Sequence, residues 1–150
     1  ENGPTTIFDM DWDLPIDFNH IKCVDYYIEA PTMSLACPPN HSVLFYTVSD
    51  CGVHSVADGV VSSVINFKNS TGVIVRRGEY YFTYSCLVNV AVAKGEHVKR
   101  GQIIGTFAPT GATESMEFVV SRNIRLIENP IDGFGVRLRS LKCKQKTLRN

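Results

Sequence analysis

From Ser42 onward the chain is written in short apolar runs that alternate with polar positions and are cut at regular intervals by turn residues. Val43 to Val48 is rich in β-branched and aromatic side chains, and Asp50-Cys51-Gly52 ends it. Val53 to Ala57 resumes the pattern, Asp58-Gly59 breaks it, and Val60 to Phe67 forms the next run. Asn69 to Gly72 then turns, and Val73–Arg76 and Tyr80–Tyr84 flank Arg77-Gly78-Glu79. Period-two runs with turn signals about every ten residues predict antiparallel strands in a sandwich or barrel. No long segment holds a helical period.

Two regions depart from that texture. Residues 1–40 are punctuated by Pro4, Pro15, Pro31, Pro38 and Pro39, and read as an irregular extension packed on the domain, with Tyr26-Tyr27-Ile28 its best strand. Val90 to Val92 leads into Lys94 to Gly105, where Gly95 and Gly101 bracket a short segment as a pair of turns. Glycine is suited there because it reaches positive φ without a Cβ clash. Val98, Ile103 and Ile104 are expected to face a core, at a corner where the chain changes sheet.

A length of 150 residues suits one core. Fifteen basic and fifteen acidic side chains cancel, so no overall field favours a polyanion and nucleic acid is not an expected partner. The charge is polarised along the chain: five Asp and one Glu against one Lys up to Asp25, and a basic tail, 137–150, bearing Arg137, Arg139, Lys142, Lys144, Lys146 and Arg149. Such a tail is expected to be solvated. No stretch is apolar for long enough to span a bilayer. Of the five cysteines, Cys23, Cys37 and Cys51 suggest one disulfide in an oxidising compartment, with buried free thiols the competing reading.

Several segments, taken in order, resemble the lysostaphin/LytM-type zinc murein endopeptidases. Val53-His54-Ser55-Val56-Ala57-Asp58-Gly59-Val60-Val61 is similar to their V-x-A-x-A-D-G-x-V segment, and Lys94 to Gly105 to their V-K-x-G-x-x-V-K-x-G-Q-x-I-G segment. Tyr84-Ser85-Cys86-Leu87 resembles Y-x-H-L, Thr110 to Glu114 the x-T-G-x-S/T loop, Met116 to Val120 the H-L-H-F-E-V strand, and Glu128-Asn129-Pro130 the closing V-N/D-P. The likeness runs over about 41–131, and the β domain is placed at 41–136. It implies an all-β, duplicated-hybrid-motif fold with an open groove.

In active relatives that groove holds zinc through a His and an Asp spaced H-x(3)-D and the second His of H-x-H. Carried over, Cys86 stands where Y-x-H-L needs His, and Ser115 and Glu117 stand where H-x-H needs two. Neither a hydroxyl nor a thiol substitutes for an imidazole near neutral pH. His41 falls within a residue of the first His, with Phe45 at the Asp position; His20 and Asp25 are the alternative pair. The metal candidates are thus His41, Glu117, His20 and Asp25, short of the three well-placed ligands of a catalytic zinc. His41, Phe45, Tyr84, Cys86, Ser115 and Glu117 are expected to line the groove.

Turn glycines are kept at Gly59, Gly72, Gly95, Gly101, Gly105 and Gly111 while the imidazoles are gone. The resemblance therefore implies a non-catalytic domain of an exported, cell-envelope protein. It would need no cofactor and would hold a peptidoglycan peptide or a protein partner. A zinc metallopeptidase with altered ligands is the alternative. A lipoyl-like carrier built on the Lys94–Gly105 corner comes third. Asp9, Asp11 and Asp13 lack the rest of a calcium loop, and His54 and His97 read as surface histidines.

Overall fold

The alternation seen in the sequence becomes burial of every second side chain. In strand β2 (Val43–Thr47), Val43, Phe45 and Thr47 point inward; in β10 (Ser115–Arg122) Met116, Phe118 and Val120 do; in β6 (Tyr80–Leu87) Tyr80, Phe82 and Tyr84 do. Their neighbours in sequence face the other side, as the pleat requires. The computed structural model describes residues 12–26, 42–110, 113–122, 126–128, 134 and 140–144.

Two antiparallel sheets result. The larger, of eight strands, runs β1 (Ile21–Tyr26), β2, β10, β6, β5 (Thr71–Arg77), β4 (Gly59–Asn66), β8 (His97–Val98), with β11 (Leu126–Glu128) paired to β10. The smaller runs β3 (Cys51–His54), β9 (Ile103–Phe107), β7 (Asn89–Val90). Between them lies an aromatic core: Phe82 stacks on Phe118, and Phe45 and Tyr84 are fully buried nearby. Such rings contribute most of the apolar area a domain of this size removes from water.

The glycine corner forms as expected, with Gly95 at φ 92° and Gly101 at φ 88°. It is tied to the Ala57-Asp58-Gly59 turn: Asp58 Oδ1 accepts a 2.7 Å hydrogen bond from the Arg100 amide, while the Arg100 guanidinium reaches Asp13 at 2.8 Å. Gly59 is required by proximity, since a Cβ there would lie 2.6 Å from the Arg76 carbonyl oxygen. The two segments that looked most motif-like are therefore one structural joint. Val98 and Ile104 enter the core as expected, but Ile103 is 45% exposed, because the strand period sends it to the opposite face.

The segment before β2 is more than an extension. Trp12 and Ile16 are buried in the main core, and after a 3-10 turn (Phe18–His20) β1 pairs along β2. The strand expected at Tyr26–Ile28 ends at Tyr26; Tyr27 and Ile28 lie outside the described residues. The described part of the basic tail, 140–144, departs from the expectation of a free, solvated segment. Cys143 is disulfide-bonded to Cys23, its amide donates to the Val24 carbonyl at 2.9 Å, and Lys142 forms a parallel bridge with Val24. Residues 140–144 are therefore fastened to the outer edge of β1 rather than free in solvent. Cys37 lies outside the described residues, and Cys51 is a buried free thiol.

Candidate functional site

Register fixes which side chains share the outer face of the large sheet. Asp25 pairs with Leu44, Leu44 with Glu117, and Glu117 with Ser85, so one row crosses β1, β2, β10 and β6. One step along, Cys23 pairs with Tyr46 and Tyr46 with Ser115. Ser115 and Glu117 thus stand two residues apart on the same face, about 7 Å along the strand. These rows form the sheet face on which the family resemblance places the groove.

Two residues expected there are not on it. Phe45 and Tyr84 point into the core, both with no exposed surface. Phe45 is one residue out of phase with the groove, and in a strand one residue reverses the face. The β2 residue beside Glu117 is Leu44, which offers no metal-binding atom. An H-x(3)-D spacing ending at Leu44 begins at Asn40 rather than His41; both lie outside the described residues. Tyr84 instead joins the sheets, its hydroxyl accepting a 2.8 Å bond from the Val56 amide. Burial pushes its phenol well above the ordinary value, against the bonds from Val56 and Ser55.

The alternative ligand set, His20 and Asp25 with Glu117, does not assemble. His20 closes the 3-10 turn at one end of β1 and Asp25 lies near the other, about 15 Å away at strand rise. Asp25 Oδ1 is engaged by Lys142 Nζ at 3.3 Å. Among the described residues no three His, Cys, Asp or Glu come together as a metal site. The described donors of these rows, the Glu117 and Asp25 carboxylates on either side of Leu44 and the Ser85 and Ser115 hydroxyls, do not fit a catalytic zinc. His54 is half-buried rather than a surface group, with Nε2 3.8 Å from Asp17 Oδ1, and Asp13 is used by Arg100.

Cys86 occupies the most unusual backbone position described. Two residues of β6, Ser85 and Cys86, oppose Gly72 of β5, since Val73 pairs with Tyr84 and Thr71 with Leu87. That bulge puts Cys86 at φ 72°, the one non-glycine positive φ among the described residues. Its thiol is raised above the ordinary value by burial first and by the Glu117 carboxylate second, opposed by the Glu117 amide. Burial likewise carries Cys51 up to about 11. A thiolate is the reactive form. In the folded protein at pH 8, iodoacetamide should therefore label both cysteines more slowly than after unfolding. Below its pKa a thiol's rate rises with its thiolate fraction, so the folded-state rates should still be climbing where those of the unfolded chain level off, for Cys51 up to about pH 11, which mass spectrometry across a pH series would read.

An antiparallel pair of sheets, joined through a glycine corner and carrying an open polar row on the larger one, is the architecture of the lysostaphin/LytM-type domains. The model of peptidase family M23 matches residues 39–132, and the chain belongs to that family. Among solved structures, the SpoIIQ–SpoIIIAH pore-forming complex contains a chain with TM-score 0.65 and 17% identity, the match covering 82% of this chain and 90% of that one. Helicobacter pylori Csd3 matches at TM-score 0.63 and 20% identity, over 94% of this chain and 37% of its own. A curated relative, the phosphoribosylformylglycinamidine synthase subunit PurL of Methanothrix thermoacetophila, is 40% identical over 88 residues. That match covers 56% of this chain and spans only 10% of the relative's length.

Proposed function

We propose that this domain is a non-catalytic member of its family, serving in a cell envelope by holding a wall peptide or a protein partner along the groove. The observation that carries the reading is the row Leu44–Glu117–Ser85 with Cys86 beside it. An apolar side chain and a protonated thiol replace groups that would bind a cation or activate water. What remains suits recognition: a half-buried sheet face with serine hydroxyls, the Asp25 and Glu117 carboxylates, and Tyr46 and Leu44 as apolar contacts. The likeness to a chain that forms a complex with SpoIIIAH supports a protein partner as one occupant. An envelope location accords with the family and with the Cys23–Cys143 disulfide. No helix among the described residues is long and apolar enough to cross a membrane.

The test is incubation of the purified domain with murein sacculi and with oligoglycine peptides. We expect no soluble fragments, with or without added zinc. Release of fragments that stops on adding a chelator would overturn the reading and restore the alternative of a peptidase with altered ligands.

A further inference from the structure

We infer that the rim of the groove carries a subsite for a primary ammonium group, and that Lys142 is its built-in occupant. The inference rests on the groove-binding reading only for the path by which a ligand arrives.

Three independent groups converge on the Lys142 ammonium. The Asp25 carboxylate accepts from Nζ at 3.3 Å, the Tyr26 backbone carbonyl accepts at 3.1 Å, and Nζ stands 4.6 Å from the centre of the Tyr26 ring. A carboxylate balances the charge, a carbonyl takes a second N–H, and an aromatic face attracts the cation. None of these contacts depends on the lysine backbone; the Asp25 carboxylate faces the groove side, while the Tyr26 ring, 5% exposed, lies on the opposite face of β1. The side chains of Lys142 and Asp25 are 39% and 48% exposed, so the subsite opens to solvent.

Its position links it to the groove. Asp25 is the β1 member of the row that continues through Leu44 to Glu117. Two strand spacings separate Asp25 from Glu117, about 10 Å, within the reach of one peptide. A ligand lying across Leu44 can thus place an amine-bearing side chain on Asp25 once Lys142 has left.

The clasp decides whether Lys142 leaves. The Cys23–Cys143 disulfide and the bond from the Cys143 amide to the Val24 carbonyl hold the neighbouring residue in place. Tethering keeps the lysine at high effective concentration against a free amine. Reduction by a dithiol delivers two electrons and two protons, giving the Cys23 and Cys143 thiols while the dithiol becomes its own disulfide. Lys142 is then held by non-covalent contacts alone: the partly exposed ion pair with Asp25, the Tyr26 carbonyl and ring, and the neighbouring Cys143–Val24 backbone bond.

The test uses Lys142→Met, which keeps an unbranched side chain and removes the charge, with Nα-acetyl-lysine amide as probe and Nα-acetyl-norleucine amide as the uncharged control. Amide NMR shifts of Asp25, Tyr26 and Leu44 report binding. Mass spectrometry confirms the disulfide, and unchanged shifts elsewhere confirm the fold. We expect the lysine probe to saturate the variant at a concentration at least about tenfold below that needed for the oxidised wild type. Adding Asp25→Asn to the variant should abolish the effect, and dithiothreitol should move the wild type towards the variant. Equal titration of wild type and variant, or equal shifts from norleucine amide, would overturn the subsite. A reduced wild type that titrates like the oxidised one would overturn the clasp. Sacculus digestion is read separately, so either failure leaves the groove assignment to its own experiment.

Discussion

Replacing Cys23 and Cys143 together by serine should lower the unfolding free energy by about 4–5 kcal/mol, the largest effect we expect from any surface change. The bridge joins residues 120 positions apart and so closes nearly the whole chain into one loop. Cross-linking removes chain entropy from the unfolded ensemble in proportion to the logarithm of loop length, which for about 100 residues gives roughly 4.7 kcal/mol. The loss should appear in urea titration as a lower midpoint. The slope should rise, because the uncross-linked unfolded chain exposes more surface. Since native domains are stable by only about 5–15 kcal/mol, the variant should sit near the limit of folding at 37 °C. A shift below about 1 kcal/mol would mean that the clasp adds little to what the sheets already hold.

The second large effect is expected at Trp12. Its ring meets Phe82 at 5.2 Å, Phe118 at 6.0 Å and Phe134 at 4.9 Å between centroids, all edge to face. Those partners come from β6, from β10 and from the later Phe134, so the indole closes the core where they meet. Removing a buried aromatic of this size typically costs about 3–5 kcal/mol, part from lost transfer and part from the cavity left behind. Trp12→Ala should therefore destabilise the domain by that amount in chemical denaturation, whereas an irregular segment merely resting on the surface would show less than about 1 kcal/mol.

These two features were also the least legible in the sequence. Five cysteines permit many pairings, and nothing in their spacing distinguishes Cys143 from nearer partners of Cys23. Trp12 sits among prolines and aspartates without a period, and its burial depends on strands more than sixty residues away. The strands of 43–107 were legible because alternation is a local property that burial on one face imposes. The same period explains the error at Phe45. Placing a motif to within one residue is enough for locating a strand but not for choosing its face, and it is Leu44 that lies beside Glu117. The motif around Tyr84 points to the groove, whereas its inward phase follows from Phe82 two residues earlier. Cys86 carried no signal of positive φ, since such positions usually announce themselves as Gly or Asn.

The proposal of a non-catalytic domain rests on a contrast between kept turns and the side chains of the neighbouring sheet face. Gly59, Gly95 and Gly101 serve the joint between sheets, while that face presents Leu44, Ser115 and Glu117. A leucine between Asp25 and Glu117 separates the two carboxylates by a full strand, so neither completes a site with the other.

Elemental analysis of the native protein, purified without chelator and equilibrated with zinc before buffer exchange, bears on this most directly. The account predicts far less than one zinc per chain, unchanged by Glu117→Ala. One tightly held zinc per chain, lost in that variant, would contradict it.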